Sequence, residues 1–146
     1  PLGNLIADAT LFGGRPYGAQ IAFMNTGGIR ADLETGDGNV VSKGQALATL
    51  PFGTTLVVMD MTGAQIRTLL EQQWTGDKVQ VRGLLQVSEG FTYRYDPRKP
   101  EGARVADISI NGVPLDPIEK TIENGKKMVA FRTDVTVAAI RKSMGR

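Results

Sequence analysis

From Gly83 to Leu115 the chain reads as β structure with little room for anything else. Gly83 to Val87 is a short apolar run, and Phe91-Thr92-Tyr93-Arg94-Tyr95 alternates strictly, the period of a strand with one buried face. Arg104 to Ile110 follows, and Asn111-Gly112 supplies a tight hairpin turn into Val113-Pro114-Leu115. Before this block the pattern changes to helical. Leu2, Leu5, Ile6, Ala9 and Phe12 recur at three- and four-residue steps and predict one apolar face, with Pro1 in the first turn and Gly13-Gly14 as the stop. Ala19 to Met24 reads as a strand, Val40-Val41 as a shorter one, and Ser42 caps a brief helix ended by Pro51. Thr55 to Met61 reads as a largely buried strand. Thr62 with Gln65 is a capping-box pattern opening a helix to Trp74, whose buried face takes Ala64, Ile66, Leu69 and Leu70. Helices near 2–12, 62–74 and 134–144 with strands near 19–24, 55–61, 84–88, 91–95 and 104–110 make an α+β fold, and residues 1–146 are of ordinary length for a single domain.

Chemistry concentrates elsewhere. Asn25-Thr26-Gly27-Gly28-Ile29-Arg30 places two glycines after an amide, so that no Cβ keeps a ligand from the backbone N–H groups. Arg30 adds a planar, permanently charged fork suited to carboxylate or phosphate oxygens. Phe52, in Leu50-Pro51-Phe52-Gly53, sits on a Pro/Gly turn that favours exposure and suits a stacking plate for a flat ring. The bland alternatives are a surface Arg30 paired with Asp32 or Glu34, and a core Phe52. Asp8, Asp60 and Asp107 have no catalytic spacing and read as structural, as do the aromatics Trp74, Phe91, Tyr93 and Tyr95.

Composition removes whole classes of chemistry. With no cysteine there is no disulfide, no thiolate nucleophile and no Cys-based metal site. With no histidine, neither a Ser–His–Asp triad nor an imidazole-ligated metal pair can be built. No apolar run approaches the roughly 18 residues of a membrane helix, so no membrane partner is expected. Residues 119–146 carry seven Lys/Arg against three acids, but Phe131 is their only aromatic. A solvated face is the better reading, and nucleic acid is not expected as a partner. The chain starts inside a helix pattern without Met and is expected to be a piece of a longer protein.

Four phrases occur in one order: Pro1-Leu2-Gly3-Asn4-Leu5-Ile6-Ala7-Asp8-Ala9, Ala22 to Arg30, Leu50-Pro51-Phe52-Gly53 and Met61-Thr62-Gly63-Ala64-Gln65-Ile66. Together they resemble the C-terminal domain of the 5'-nucleotidase family, from Pro1 to about Lys120. The resemblance implies a mixed β-sheet sandwich with flanking helices, in the α-β-β-α manner of that family. It implies a domain that binds the base and ribose of a nucleotide, of adenine type, through Asn25, Gly27, Gly28, Arg30 and Phe52. It places no catalytic and no metal-binding residue in this chain; two divalent metals belong to a separate N-terminal metallophosphoesterase domain. The chain alone is therefore expected to be inactive, and the parent periplasmic, cell-surface or secreted. Thr26 stands where the family usually has a third glycine, and Thr54 where many members have a base-binding Asn. A stand-alone folding or protein-interaction module is the other reading.

After Pro114-Leu115-Asp116-Pro117 the chain departs from the family pattern, which continues with a central strand and a Gly-Gly-Asp-Gly-aromatic loop. Near residues 120–122 both have no counterpart. Either the segment exists and a gap separates Lys120 from Ile122, or it is deleted and the chain is continuous with another strand in the slot: Lys127 to Arg132, or the same element of a partner in a swapped homodimer. The return of the family pattern at Thr133-Asp134 favours the gap.

Overall fold

The computed structural model describes residues 1–74, 84–115 and the strand at 127–132. Helix α1 spans Leu2–Gly14, α2 Lys43–Thr49 and α3 Gly63–Glu71. The strands are β1 Ile21–Asn25, β2 Leu56–Met61, β3 Leu85–Val87, β4 Phe91–Tyr95, β5 Val105–Ile110, β6 Val113–Pro114 and β7 Lys127–Arg132. They form a four-stranded sheet in the order β2-β7-β1-β3 and a three-stranded sheet β4-β5-β6. The first sheet is mixed: β1 runs parallel to β7 and antiparallel to β3, while β2 is antiparallel to β7. The α+β class and the mixed-sheet architecture with helices agree with the expectation.

β1 explains why one short strand can organise the domain. Its side chains alternate, and both faces are covered. Ile21 and Phe23 join a core with Met61, with Ile66, Leu69, Leu70 and Trp74 after the start of α3, and with Phe91, Val105, Ile108 and Ile110 of the second sheet. Ala22 and Met24 point the other way, into apolar clusters with Leu11 and Ala19 and with Ile6 and Ala7. A strand buried on both faces has to be apolar throughout, as Ile-Ala-Phe-Met is. Phe23 meets Phe91 edge to face, with ring centroids 5.2 Å apart, so the two sheets share one core. Polar ties add to the packing: the Val105 amide donates to Glu71 Oε1 at 2.6 Å, and the Arg67 guanidinium donates to the Val105 carbonyl.

Several boundaries differ from the sequence expectation, each for a physical reason. Gly13-Gly14 does not stop α1. Gly14 stays right-handed, and a Cβ on Gly13 would meet Leu56 Cδ1 at 2.8 Å, so Gly13 serves close helix–strand contact. The chain turns at Gly18 instead, at φ 85°, which costs glycine little. The buried face of α1 is Gly3, Ile6, Ala7, Thr10 and Leu11; Leu5 is 55% and Phe12 75% exposed. Val40-Val41 forms no strand and stays solvent-exposed, and among the described residues no strand pairs with it. β2 is half-buried rather than largely buried because it lies at the sheet edge. α3 ends at Glu71, ahead of Trp74. The capping boxes Ser42/Gln45 and Thr62/Gln65 are both formed. Asn111 (φ 50°) and Gly112 (φ 76°) make the primed hairpin turn.

β7 of the same chain lies between β1 and β2, register Ala22↔Ala130 on one side and Val58↔Ala130 on the other. That is one of the two substitutes named above, and no strand from a partner is needed there. The Lys120–Ile122 junction and the helix expected at 134–144 lie outside the described residues.

Asp107 interrupts β5 at φ 51°, where the β4–β5 register shifts between Thr92 and Arg94. It is a bulge, and short polar side chains tolerate that left-handed conformation while branched ones do not. Asp107→Val should lower stability by about 1–2 kcal/mol in urea titration, and Asp107→Asn should change it by less than about 0.5 kcal/mol. Equal losses in both would point to the exposed Arg94–Asp107 pair, 3.5 Å apart, as the cause.

Candidate functional site

Residues 25–30 and 49–53 come together at the end of β1. The chain leaves the strand at Asn25, makes one 3-10 turn over Thr26–Gly28 closed by the Ile29 amide to the Thr26 carbonyl (3.1 Å), and continues extended. Ile29 and Leu50 are both partly buried against the same cluster of Ile6, Ala7 and Met24. Each apolar anchor sits just before the residue of interest, so the two segments are pinned side by side. The Arg30 amide then donates to the Thr49 carbonyl at 3.0 Å. Thr49 is itself buried, and its one hydroxyl hydrogen is shared between the Asp32 carbonyl at 3.3 Å and the Gln45 carbonyl at 3.2 Å, sewing the loop to the end of α2.

The result is a direct contact. The Arg30 guanidinium carbon lies over the Phe52 ring, 5.4 Å from its centroid. Among the described residues Arg30 makes no ion pair with Asp32 or Glu34. Phe52 is 39% exposed, not a core aromatic, although residues 50–55 form an irregular segment rather than the expected turn. Arg30 and Gly27 are exposed, Asn25 is half-buried and Gly28 buried. Neither glycine takes a positive φ, and a Cβ on Gly27 would meet nothing nearer than Asn25 Nδ2 at 3.7 Å. Gly27 therefore leaves open space rather than relieving strain. Sequence reasoning missed Thr49, Ile29 and Leu50, which bring the two segments together; Leu50 before a proline and Ile29 between Gly and Arg were the only signals.

The aromatics set aside as packing behave so in part: Trp74 and Phe91 are buried, Tyr93 is half-buried, and Tyr95 lies 4.9 Å from Trp74 while 45% exposed. Burial pushes the Tyr93 hydroxyl pKa upward. Asp8 Oδ1 accepts the Glu89 amide at 2.6 Å, a structural tie of α1 to the turn after β3. Among the described residues no three carboxylates cluster to hold a metal ion. Without histidine or cysteine, the residues present do not fit a two-metal phosphoesterase centre. A cation beside an exposed ring is the chemistry that anions and flat rings meet.

Residues 1–120 match the family described as 5'-nucleotidase, C-terminal domain. The chain is 38% identical over 136 residues to a trifunctional nucleotide phosphoesterase of Bacillus subtilis, covering 92% of this chain and 8% of that protein. It is 34% identical over 128 residues to a cell wall protein of Listeria monocytogenes, covering 82% of this chain and 16% of that one. The crystal structure of a 5'-nucleotidase precursor from Thermus thermophilus superposes with a TM-score of 0.76 at 33% identity, covering 99% of this chain and 28% of that one. The chain thus spans a small part of each of these relatives.

Proposed function

The chain belongs to the 5'-nucleotidase C-terminal domain family, and from that premise we propose that it is the nucleotide-recognition part of a metal-dependent 5'-nucleotidase-like phosphohydrolase. Phe52 stacks the base, of adenine type. Asn25, Gly27, Gly28 and Arg30 form the polar rim that takes ribose and anionic oxygens, and the phosphate is presented to a separate N-terminal catalytic domain that carries two divalent metals. The division is physically sound, because binding energy collected away from the reacting atoms is used to position them. The observation that supports the reading is the Arg30–Phe52 contact: a permanent cation and an exposed aromatic brought to 5.4 Å across 22 residues of sequence. The cell wall relative of Listeria favours an extracellular, cell-surface or periplasmic setting for the parent.

Calorimetric titration with AMP and adenosine tests this. Wild type should bind AMP, and Phe52→Ala should weaken it by about 5- to 150-fold, the equivalent of about 1–3 kcal/mol for base–aromatic stacking. The pure chain should not hydrolyse AMP with or without added divalent metal. No binding at millimolar ligand would favour the stand-alone folding or interaction module instead.

A further inference from the structure

We propose that Arg30 is a latch on the Phe52 platform: in the free chain its guanidinium covers a ring face, and an anionic group on the ligand draws it off, so that the same site favours phosphate-bearing ligands over neutral nucleosides. The inference rests on the nucleotide-recognition reading and adds to it how charge and ring recognition are coupled. The geometry carries it. Carbon atoms in contact sit about 3.5–4.0 Å apart, so a flat ring between guanidinium and phenyl needs about 7–8 Å. The observed 5.4 Å leaves no room for one. Ring stacking on that face and the Arg30–Phe52 contact exclude each other.

A neutral nucleoside must break that contact without replacing it. A nucleotide replaces it, because the planar fork of Arg30 finds charge-assisted, two-pronged hydrogen bonds to phosphate oxygens, which are stronger than an exposed cation–ring contact. The latch is free to move: Arg30 is exposed, and its backbone stays fixed by the amide bond to the Thr49 carbonyl whatever the side chain does. Removing the Arg30 side chain therefore has opposite effects on the two ligands.

The test is a pair of titrations on wild type and Arg30→Ala, with a second readout by NMR. Adenosine should bind Arg30→Ala roughly two- to five-fold more tightly than wild type, the worth of an exposed cation–ring contact. AMP should bind it roughly tenfold or more weakly. In the free wild-type chain the Arg30 side-chain resonances should be shifted by the Phe52 ring, a shift absent in Phe52→Leu and lost on saturation with inorganic phosphate alone. Weaker or unchanged adenosine binding in Arg30→Ala, with AMP still bound by wild type, would overturn the latch alone. A ring shift that persists in saturating AMP would do the same. Wild type that takes up neither AMP nor adenosine would overturn the recognition reading, and the latch with it.

Discussion

Ala130→Pro should leave the chain without a cooperative unfolding transition. Ala130 sits in the middle of β7 with Ala22 opposite on one side and Val58 on the other. A central strand has no edge on which a missing N–H is harmless, and proline both deletes the donor and pushes the neighbouring backbone away. The orphaned carbonyl alone costs about 1–3 kcal/mol, and prising apart two ladders adds to it. Against a total stability of about 5–15 kcal/mol that is enough to unfold the domain. The chain supplies its own control, because Pro114 is tolerated in β6, an edge strand. Circular dichroism melting and amide exchange check the expectation: protection in Ile21–Asn25 and Leu56–Met61 should vanish together. A variant that melts at the wild-type temperature would mean that β7 is not the strand holding β1 and β2 together. Function should fall with the fold, since β1 ends in the Asn25–Arg30 loop.

How legible this was depended on what each signal can see. The exposure of Phe52, the two capping boxes and the Asn111-Gly112 hairpin follow from local chemistry, and local chemistry is written in the chain. The closeness of Arg30 to Phe52 is not local. It arises because Ile29 and Leu50 share one apolar cluster and Thr49 stitches the loop, and no spacing rule announces that. The face of α1 was misread for a related reason. Leu5, Ala9 and Phe12 have helical spacing, but so do Gly3, Ile6, Ala7, Thr10 and Leu11. A helix lying close on a sheet favours the smaller set, which periodicity of large side chains overlooks. Val40-Val41 has strand-forming residues and no partner, and a strand without a ladder is only an extended loop. That Lys127 to Arg132 pairs with both β1 and β2 is likewise a matter of tertiary placement, which no local pattern announces.

Trp74→Ala should be the most damaging side-chain truncation, and it should separate stability from recognition. Trp74 is fully buried in the core that also holds Ile21 and Phe23, and its ring lies 4.9 Å from that of Tyr95. Cutting a buried Trp to Ala costs about 3–5 kcal/mol, as lost transfer energy plus the cavity left behind. For a chain of this length that lowers the melting temperature by roughly 10 °C. Trp74→Phe should cost much less, because among the described residues the indole Nε1 finds no hydrogen-bond partner, and its loss removes a buried donor with an unmet need. The Arg104 Nη1 bond to the Trp74 carbonyl, 3.0 Å long, survives in either variant because it uses the backbone. Below its own melting temperature, Trp74→Ala should still bind AMP as wild type does, since Ile29 and Leu50 belong to a different cluster and Thr49 holds the Arg30 loop by hydrogen bonds. Phe52→Ala should do the reverse, losing AMP with little change in melting temperature. If Trp74→Ala abolishes AMP binding while still folded, the recognition loop is coupled to the core between the sheets, and β1 transmits strain from one to the other.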